Sequence, residues 1–514
     1  MLNVTVNGTR QIKCSKGDNL YQVLASAGYI FTGNCGMKGR CERCRVFLKD
    51  TGSFVKSCQY IVDKDISVTL EQDRMKGITD YKDSLPPITS LKNNGNADAD
   101  KNTDENADVN VGVKTDANTK AKANINADEK VNTDVKYGVA VDIGTTTIGM
   151  ELVNLSNHRI ESTFSKLNSQ IAFGADVISR IQMAGDLEGM KQLRKLLFQD
   201  IEAGVDKMTA DVPDAENHII RYVLSGNAAM LSIAAGLTTE NLFGYPFSLK
   251  NPDVVEIKPD DFIRHASFDV SCLKQAEADG TGMVFCLPNI AAFAGADVAS
   301  GAVSVCLDRD SSYNMLIDLG TNGEIILCNK DGGVAASAAC GSAFEGCFRS
   351  ANVFGANIFD MLALLRKRKQ LDENGILQEQ YLQTGISIGG NIVIDMDIIQ
   401  AFQLGKSAII SAIIMLAKER KISLEEIANV YISGGFGFHL NIENAVYLGL
   451  FPECFAKKTE TVGNTSLKGA YLALIEPEFI DTINRFKRKI TYIDLSNQKE
   501  FNDIFIRNLK LTGC

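Results

Sequence analysis

Four cysteines fall within 24 residues, Cys35, Cys41, Cys44 and Cys58, and the first three share one loop as Cys35-x5-Cys41-x2-Cys44. As thiolates they can wrap a compact inorganic cluster. Gly33, Gly36 and Gly39 allow the tight turns that aim backbone N–H groups at sulfur, which favours the negative charge added on reduction. A structural zinc site is the alternative. Zinc ribbons usually present two separated pairs of ligands, whereas three close cysteines and one further on is iron–sulfur spacing. Cys14 is a spare thiol in a predicted strand, and the other cysteines are scattered and read mostly as buried small hydrophobes. His158, His218, His265 and His439 lie far apart, so a histidine metal centre or a His-dependent triad has no local support.

A second chemistry is written twice. Val141-Asp-Ile-Gly-Thr-Thr-Thr147 and Ile317-Asp-Leu-Gly-Thr-Asn-Gly323 share one form, with their aspartates 176 positions apart. In such turns Gly144, Thr145, Thr146 and Thr147, and likewise Gly320, Thr321, Asn322 and Gly323, can offer amide N–H groups and hydroxyls to phosphate oxygens. Asp142 and Asp318 can hold a hydrated Mg2+, and Glu324 beside the second turn can orient water or face a substrate. One Asp-x-Gly turn is ordinary hairpin chemistry. Two matching turns, followed by the glycine-rich Val430-Tyr-Ile-Ser-Gly-Gly-Phe-Gly437, are much stronger evidence and imply a phosphate site shared by two related lobes. No Gly-x4-Gly-Lys-Ser/Thr sequence is present, so the P-loop reading is excluded.

Three regions must carry these groups. Residues 1–85 read as a small domain: Leu2-Asn-Val-Thr-Val alternates as a strand, Asn7-Gly8 marks a hairpin turn, and Gln11-Ile-Lys-Cys returns. Asp18 is the expected cap of a helix over Asn19–Ala27, and Arg45-Val-Phe-Leu and Ile66-Ser-Val-Thr-Leu are further strands. Residues 86–136 read as a flexible linker. Within it, 91–136 hold ten Asn and seven Asp but no aromatic, Pro, Cys or Met, too little apolar surface to offset the entropy of ordering. Residues 137–514 alternate strand-like and helix-like segments, as α/β domains do, with a buried helix expected around Ile409–Leu416 inside Asp397–Arg420.

Composition narrows the partners. A net charge of -10 argues against nucleic acid or an anionic membrane surface. No apolar run reaches about 18 residues and the N-terminus has no signal-peptide pattern, so the cytoplasm is the expected location. Lys38, Arg40, Arg43 and Arg45 flank the cysteine loop and can dock an acidic partner.

The cysteine loop resembles the [2Fe-2S] ferredoxin family, with the x5-x2 spacing of the adrenodoxin branch, and Gly17–Gly28 looks like the helix preceding its cluster. Cys58, fourteen positions after Cys44, comes sooner than the fourth ligand of most free ferredoxins. The paired turns resemble the nucleotide site of the actin, Hsp70 and sugar-kinase superfamily, with Ser433–Gly437 as the adenosine motif through Gly434, Gly435 and Gly437. That resemblance implies two ribonuclease-H-like lobes closing over Mg-ATP, and a β-grasp fold for the cysteine domain.

Together the parts resemble the reductive activators of corrinoid proteins. Asn168–Ile181, Ser225–Met230, Leu287–Asp297, Gly341–Gly346 and Gly463–Ala470 extend the match over nearly everything except the tether. The resemblance implies ATP-dependent return of cob(II)alamin to cob(I)alamin on a methyl-transferring partner, supplied by an external low-potential donor in anaerobic metabolism, with a homodimer possible. Two departures stand out. The first phosphate turn follows the tether at once, which reads as loss of a middle domain, and Ser342 stands where proline is expected. A redox-regulated small-molecule kinase of the same superfamily is the alternative function.

Overall fold

The computed structural model describes residues 1–6, 10–27, 44–69, 135–174, 176–242, 245, 247–249, 251–258, 283–320, 322–340, 356–389, 392–437 and 440–513. Cys35, Cys41, Thr321, the Asn7-Gly8 turn, the basic residues Lys38, Arg40 and Arg43, the tether over 86–134, and the 341–346 loop with Ser342 lie outside the described residues.

Four of the five N-terminal strands form where the sequence predicts them; Ser53–Lys56 falls outside that expectation. β1 (Leu2–Val6) and β2 (Arg10–Cys14) pair antiparallel, and β3 (Arg45–Leu48), β4 (Ser53–Lys56) and β5 (Ile66–Thr69) complete a sheet of order β2-β1-β5-β3-β4. β1 and β5 run parallel at its centre, the arrangement of a β-grasp. Val4, Val6, Val46, Leu48, Ile66 and Val68 point inward against Leu20, Val23 and Leu24 of the helix Leu20–Ser26. Its cap differs from expectation. Asn19 Oδ1 accepts from the N–H groups of Tyr21 (3.0 Å) and Gln22 (3.4 Å), while Asp18 turns back to accept from Ser15 N (2.7 Å).

The rest of the chain builds two six-stranded sheets. The first contains β6 (Tyr137–Ile143), β7 (Thr147–Asn154), β8 (Ile160–Leu167), β9 (Ile219–Gly226), β10 (Val255–Ile257) and β11 (Met283–Cys286), in the order β10-β11-β9-β6-β7-β8. The second contains β12 (Tyr313–Leu319), β13 (Gly323–Asn329), β14 (Gly332–Ala338), β17 (Ile427–Ser433), β18 (Thr459–Gly463) and β19 (Ile490–Tyr492), in the order β18-β17-β12-β13-β14-β19. A separate hairpin pairs β15 (Ile386–Gly389) with β16 (Ile392–Ile394). In each large sheet a leading strand, β6 or β12, makes an antiparallel hairpin on one side and a parallel pair on the other. The repeat seen in the two turns is therefore a repeat of strand order. The leading strands are apolar on both faces, as strands covered on both sides must be.

The helix Met396–Glu419, capped where Asp395 accepts from Ile398 N (3.0 Å), runs well beyond the apolar segment Ile409–Leu416. By length and composition it could cross a membrane, which corrects the expectation that no segment reaches that size; 72% of its apolar window is buried inside the fold, against β13 and β14.

Candidate functional site

Asp142 sits one residue from the end of β6, just before the first turn. Its carboxylate accepts from Asn464 Nδ2 (2.8 Å) and Ser466 Oγ (2.7 Å), 322 and 324 positions away at the start of the helix Thr465–Ile475. Burial raises its proton affinity, and those two donors oppose the rise. The turn itself is held from outside. Asn168 Nδ2 donates to Gly144 O (2.9 Å), and Asn168 N to Thr146 O (2.9 Å). Thr145 is buried; Asn227 Nδ2 donates to its hydroxyl (3.1 Å), and the buried Arg180 guanidinium donates to its carbonyl. Arg180 also donates to Gly174 O (2.9 Å) and Gln170 Oε1 (3.4 Å). Thr147 opens β7 opposite Leu167. A side chain at Gly144 would put its Cβ 2.6 Å from Thr147 O, which accounts for the glycine.

At the second turn Asp318 and Glu324 face one another across the β12–β13 pair. Ser433 Oγ donates to Asp318 Oδ2 (2.8 Å), and Gly320 N donates to Asn322 O (3.0 Å). Gly323 starts β13 in close contact with Ile409. The third motif abuts this turn: Gly434 has φ +89°, and a Cβ there would meet Leu319 O at 2.5 Å and Asp318 Oδ1 at 2.7 Å. Gly437 packs on Ile432 where a Cβ would clash, while Gly435 faces open space.

Sequence reasoning assigned no role to the group that joins the two turns. Asp297, at the start of the helix Ala296–Ser304, is half-buried and interacts electrostatically with Asp318 and Asp142. Glu324 is likewise raised well above the usual carboxylate range, first by burial, then by Asp297 and Asp318. Asp318 is pushed up to about 6, chiefly by burial, against the Ser433 hydrogen bond. Four half-buried carboxyl groups from both halves thus repel one another, and positive charge brought near them would relieve that repulsion. Asn168, Arg180, Asn227, Asn464 and Ser466 also escaped assignment. Their motif stretches were visible, but nothing local shows which backbone groups they hold.

In the small domain the Sγ atoms of Cys44 and Cys58 lie 3.2 Å apart, both buried. Two of the four anticipated thiol ligands therefore converge, and the chemistry of the pair fits a thiolate-bound cluster. Among the described residues no group of three or more His, Cys, Asp or Glu side chains is arranged to hold a metal ion. The helix Leu20–Ser26 packs on the 3-10 turn Ser169–Ala172, with Ala172 against the small domain's core. That turn follows Asn168 directly.

Two sheets in which five strands share one order, each ending its leading strand beside an Asp-x-Gly turn near the half-buried acids, define the actin and sugar-kinase-like (ASKHA) fold class. Residues 137–310 match the RACo middle region, and residues 312–353 and 350–513 match the C-terminal domain of RACo, the ASKHA domain. The chain belongs to this RACo family. It is 26% identical over 590 residues to the corrinoid activation enzyme RamQ of Eubacterium limosum, covering 97% of each chain. It is 24% identical over 430 residues to a [Co(II) methylated amine-specific corrinoid protein] reductase of Methanosarcina barkeri, covering 73% of this chain and 76% of that one. The solved structure of a reductive activator for corrinoid, iron–sulfur protein superimposes with a TM-score of 0.66 at 22% identity, over 99% of this chain and 98% of its own. The expected loss of a middle domain is overturned. The middle region is present as the segment that carries β6–β11 and the first turn.

Proposed function

We propose that this protein is an ATP-dependent reductive activator of a corrinoid protein. It passes one electron from a [2Fe-2S] cluster held by Cys35, Cys41, Cys44 and Cys58 to cob(II)alamin on a methyl-transferring partner, regenerating cob(I)alamin. An external low-potential donor returns the electron to the cluster. The names of the two relatives, one a corrinoid activation enzyme and the other a Co(II) corrinoid protein reductase, support the substrate. The observation that carries the ATP requirement is the contact of the small domain with the Ser169–Ala172 turn, one residue from the Asn168 side chain that holds Gly144.

ATP is needed for a physical reason. Plant-type [2Fe-2S] clusters lie near about -400 mV. The cob(II)/cob(I) couple is expected to lie well below that, and each 100 mV of uphill transfer costs roughly 2.3 kcal/mol per electron. Asp142 and Asp318 would hold hydrated Mg2+, the two turns would hold the phosphates, and Gly434, Gly435 and Gly437 would face the adenosine. Glu324, whose proton affinity is raised by burial and by Asp297 and Asp318, would orient the attacking water once positive charge near Asp318 offset that repulsion. Closure around the nucleotide then favours the complex in which electron transfer to the corrinoid is downhill.

The test is anaerobic. The reduced protein is mixed with a cob(II)alamin-loaded corrinoid protein, and the cob(I)alamin absorbance is followed with and without Mg-ATP. Its growth only with ATP is the expected result. ATP turnover with an intact cluster spectrum but no cob(I)alamin from any corrinoid partner would replace this reading with a redox-regulated kinase.

A further inference from the structure

We propose that Ser57 and Gln59 donate hydrogen bonds to the thiolate ligands Cys44 and Cys58, raising the reduction potential of the cluster. This rests on the cluster assignment above. The register places Ser57 beside the first ligand. Arg45 and Lys56 form the last rung of the β3–β4 ladder, and just beyond it Ser57 N, opening the turn Ser57–Gln59, donates to Cys44 O (2.8 Å). The Ser57 side chain is fully buried, and its hydroxyl has no hydrogen-bond partner among the described residues. Buried hydroxyls are rarely left unpaired, because desolvation is then uncompensated. A neutral thiol is a poor acceptor, but a thiolate bound to iron is a good one.

The second ligand has its own donor. Gln59 Nε2 stands 3.2 Å from Cys58 O and 3.8 Å from Cys58 Sγ. Asn19 Nδ2 also donates to Cys58 O (3.0 Å), which fixes the backbone that presents this sulfur. Reduction adds one electron, and its charge spreads onto the sulfurs. Donors at the sulfurs stabilise the reduced form more than the oxidised form, so they move the potential upward. The cluster becomes easier for an external donor to fill and a weaker reductant of the corrinoid. The size of the step left to ATP is thus set partly by these two side chains.

The experiment uses full-length protein reconstituted anaerobically with iron and sulfide, as the parent and as Ser57→Ala, Gln59→Leu and the double variant. Iron and sulfide per chain and the visible circular dichroism report cluster content, and an electron paramagnetic resonance redox titration reports the potential. The expected result is unchanged cluster content with a potential shifted negative in each single variant and further in the double. Intact clusters at the parental potential would overturn the proposal. Ser57 is buried, so Ser57→Ala can lose cluster through packing alone, whereas Gln59 is exposed. Gln59→Leu therefore decides the question if Ser57→Ala fails to assemble. A parental protein with no [2Fe-2S] signal after reconstitution would instead remove the cluster reading on which this rests.

Discussion

Asp318 opposite Glu324 places two half-buried carboxyl groups on one strand pair, with Asp142 and Asp297 close enough to add to the repulsion. Asp318 holds its proton up to about 6 in the folded protein, against an ordinary value of 3.8. A folded-state value above the unfolded one means that the stability contribution is complete below the unfolded value and is lost as pH rises through about 6. Two units correspond to roughly 3 kcal/mol. Nucleotide-free protein should therefore lose urea resistance between about pH 4 and 6, and Asp318→Asn should flatten much of that slope. Asp142, Asp297 and Glu324 shift in the same direction and leave a residual one. Urea midpoints measured across this pH range, with and without Mg-ATP, provide the check, and bound Mg2+ should reduce the slope. The two chemistries should also separate by residue. Cys44→Ala should abolish the cluster absorbance and leave ATP binding, and Asp318→Ala should do the opposite, as read by iron analysis and calorimetric titration.

Between the two sheets, helices Ala296–Ser304 and Thr465–Ile475 touch almost backbone to backbone. A Cβ at Gly469 would lie 2.4 Å from Ser300 Oγ, and one at Gly301 would lie 2.6 Å from Thr465 Oγ1. The first of these helices carries Asp297, and the second begins beside Asn464 and Ser466, which hold Asp142. Gly469→Val should force them apart, costing about 1–3 kcal/mol by overpacking and lowering ATP turnover more than ATP affinity. Chemical denaturation and steady-state phosphate release would measure both. Sequence periodicity revealed four of the five strands of the small sheet, the long helix and the repeated turns, because each leaves a local pattern; it missed Ser53–Lys56, whose four residues show no alternation of burial. It did not reveal Asn464 and Ser466 as partners of Asp142, since a bond across 322 positions has no period. Asp297 was hidden as a lone acid in an alanine-rich segment. The choice of Asn19 over Asp18 as cap depended on Asp18 having a second use, the Ser15 amide.

At the scale of the whole molecule, the Ser169–Ala172 turn touches the cysteine domain on one side and continues from Asn168 at the phosphate turn on the other. Asn168→Ala removes the donor to Gly144 O and the cap on Gln170 N, loosening the Ser169–Ala172 turn while leaving the cysteines and the carboxylates in place. It should leave cluster content and ATP binding within about threefold of the parent while cutting ATP-stimulated corrinoid reduction at least tenfold. Hydrogen exchange of residues 20–26 should respond to Mg-ATP in the parent and not in the variant; an equal response in both would show that the connection runs elsewhere.

The placement of the helix Thr465–Ile475 has a consequence for how the chain is made. It covers β6 and β9, and Gly138 is closed off by Leu474, yet the helix is translated more than 300 residues after β6. At about 5–20 residues per second, the first sheet, complete only at Cys286, waits roughly 10–35 seconds on the ribosome with an apolar face bare. A nascent chain stalled before residue 465 should therefore be captured by holdases that release it once that helix emerges.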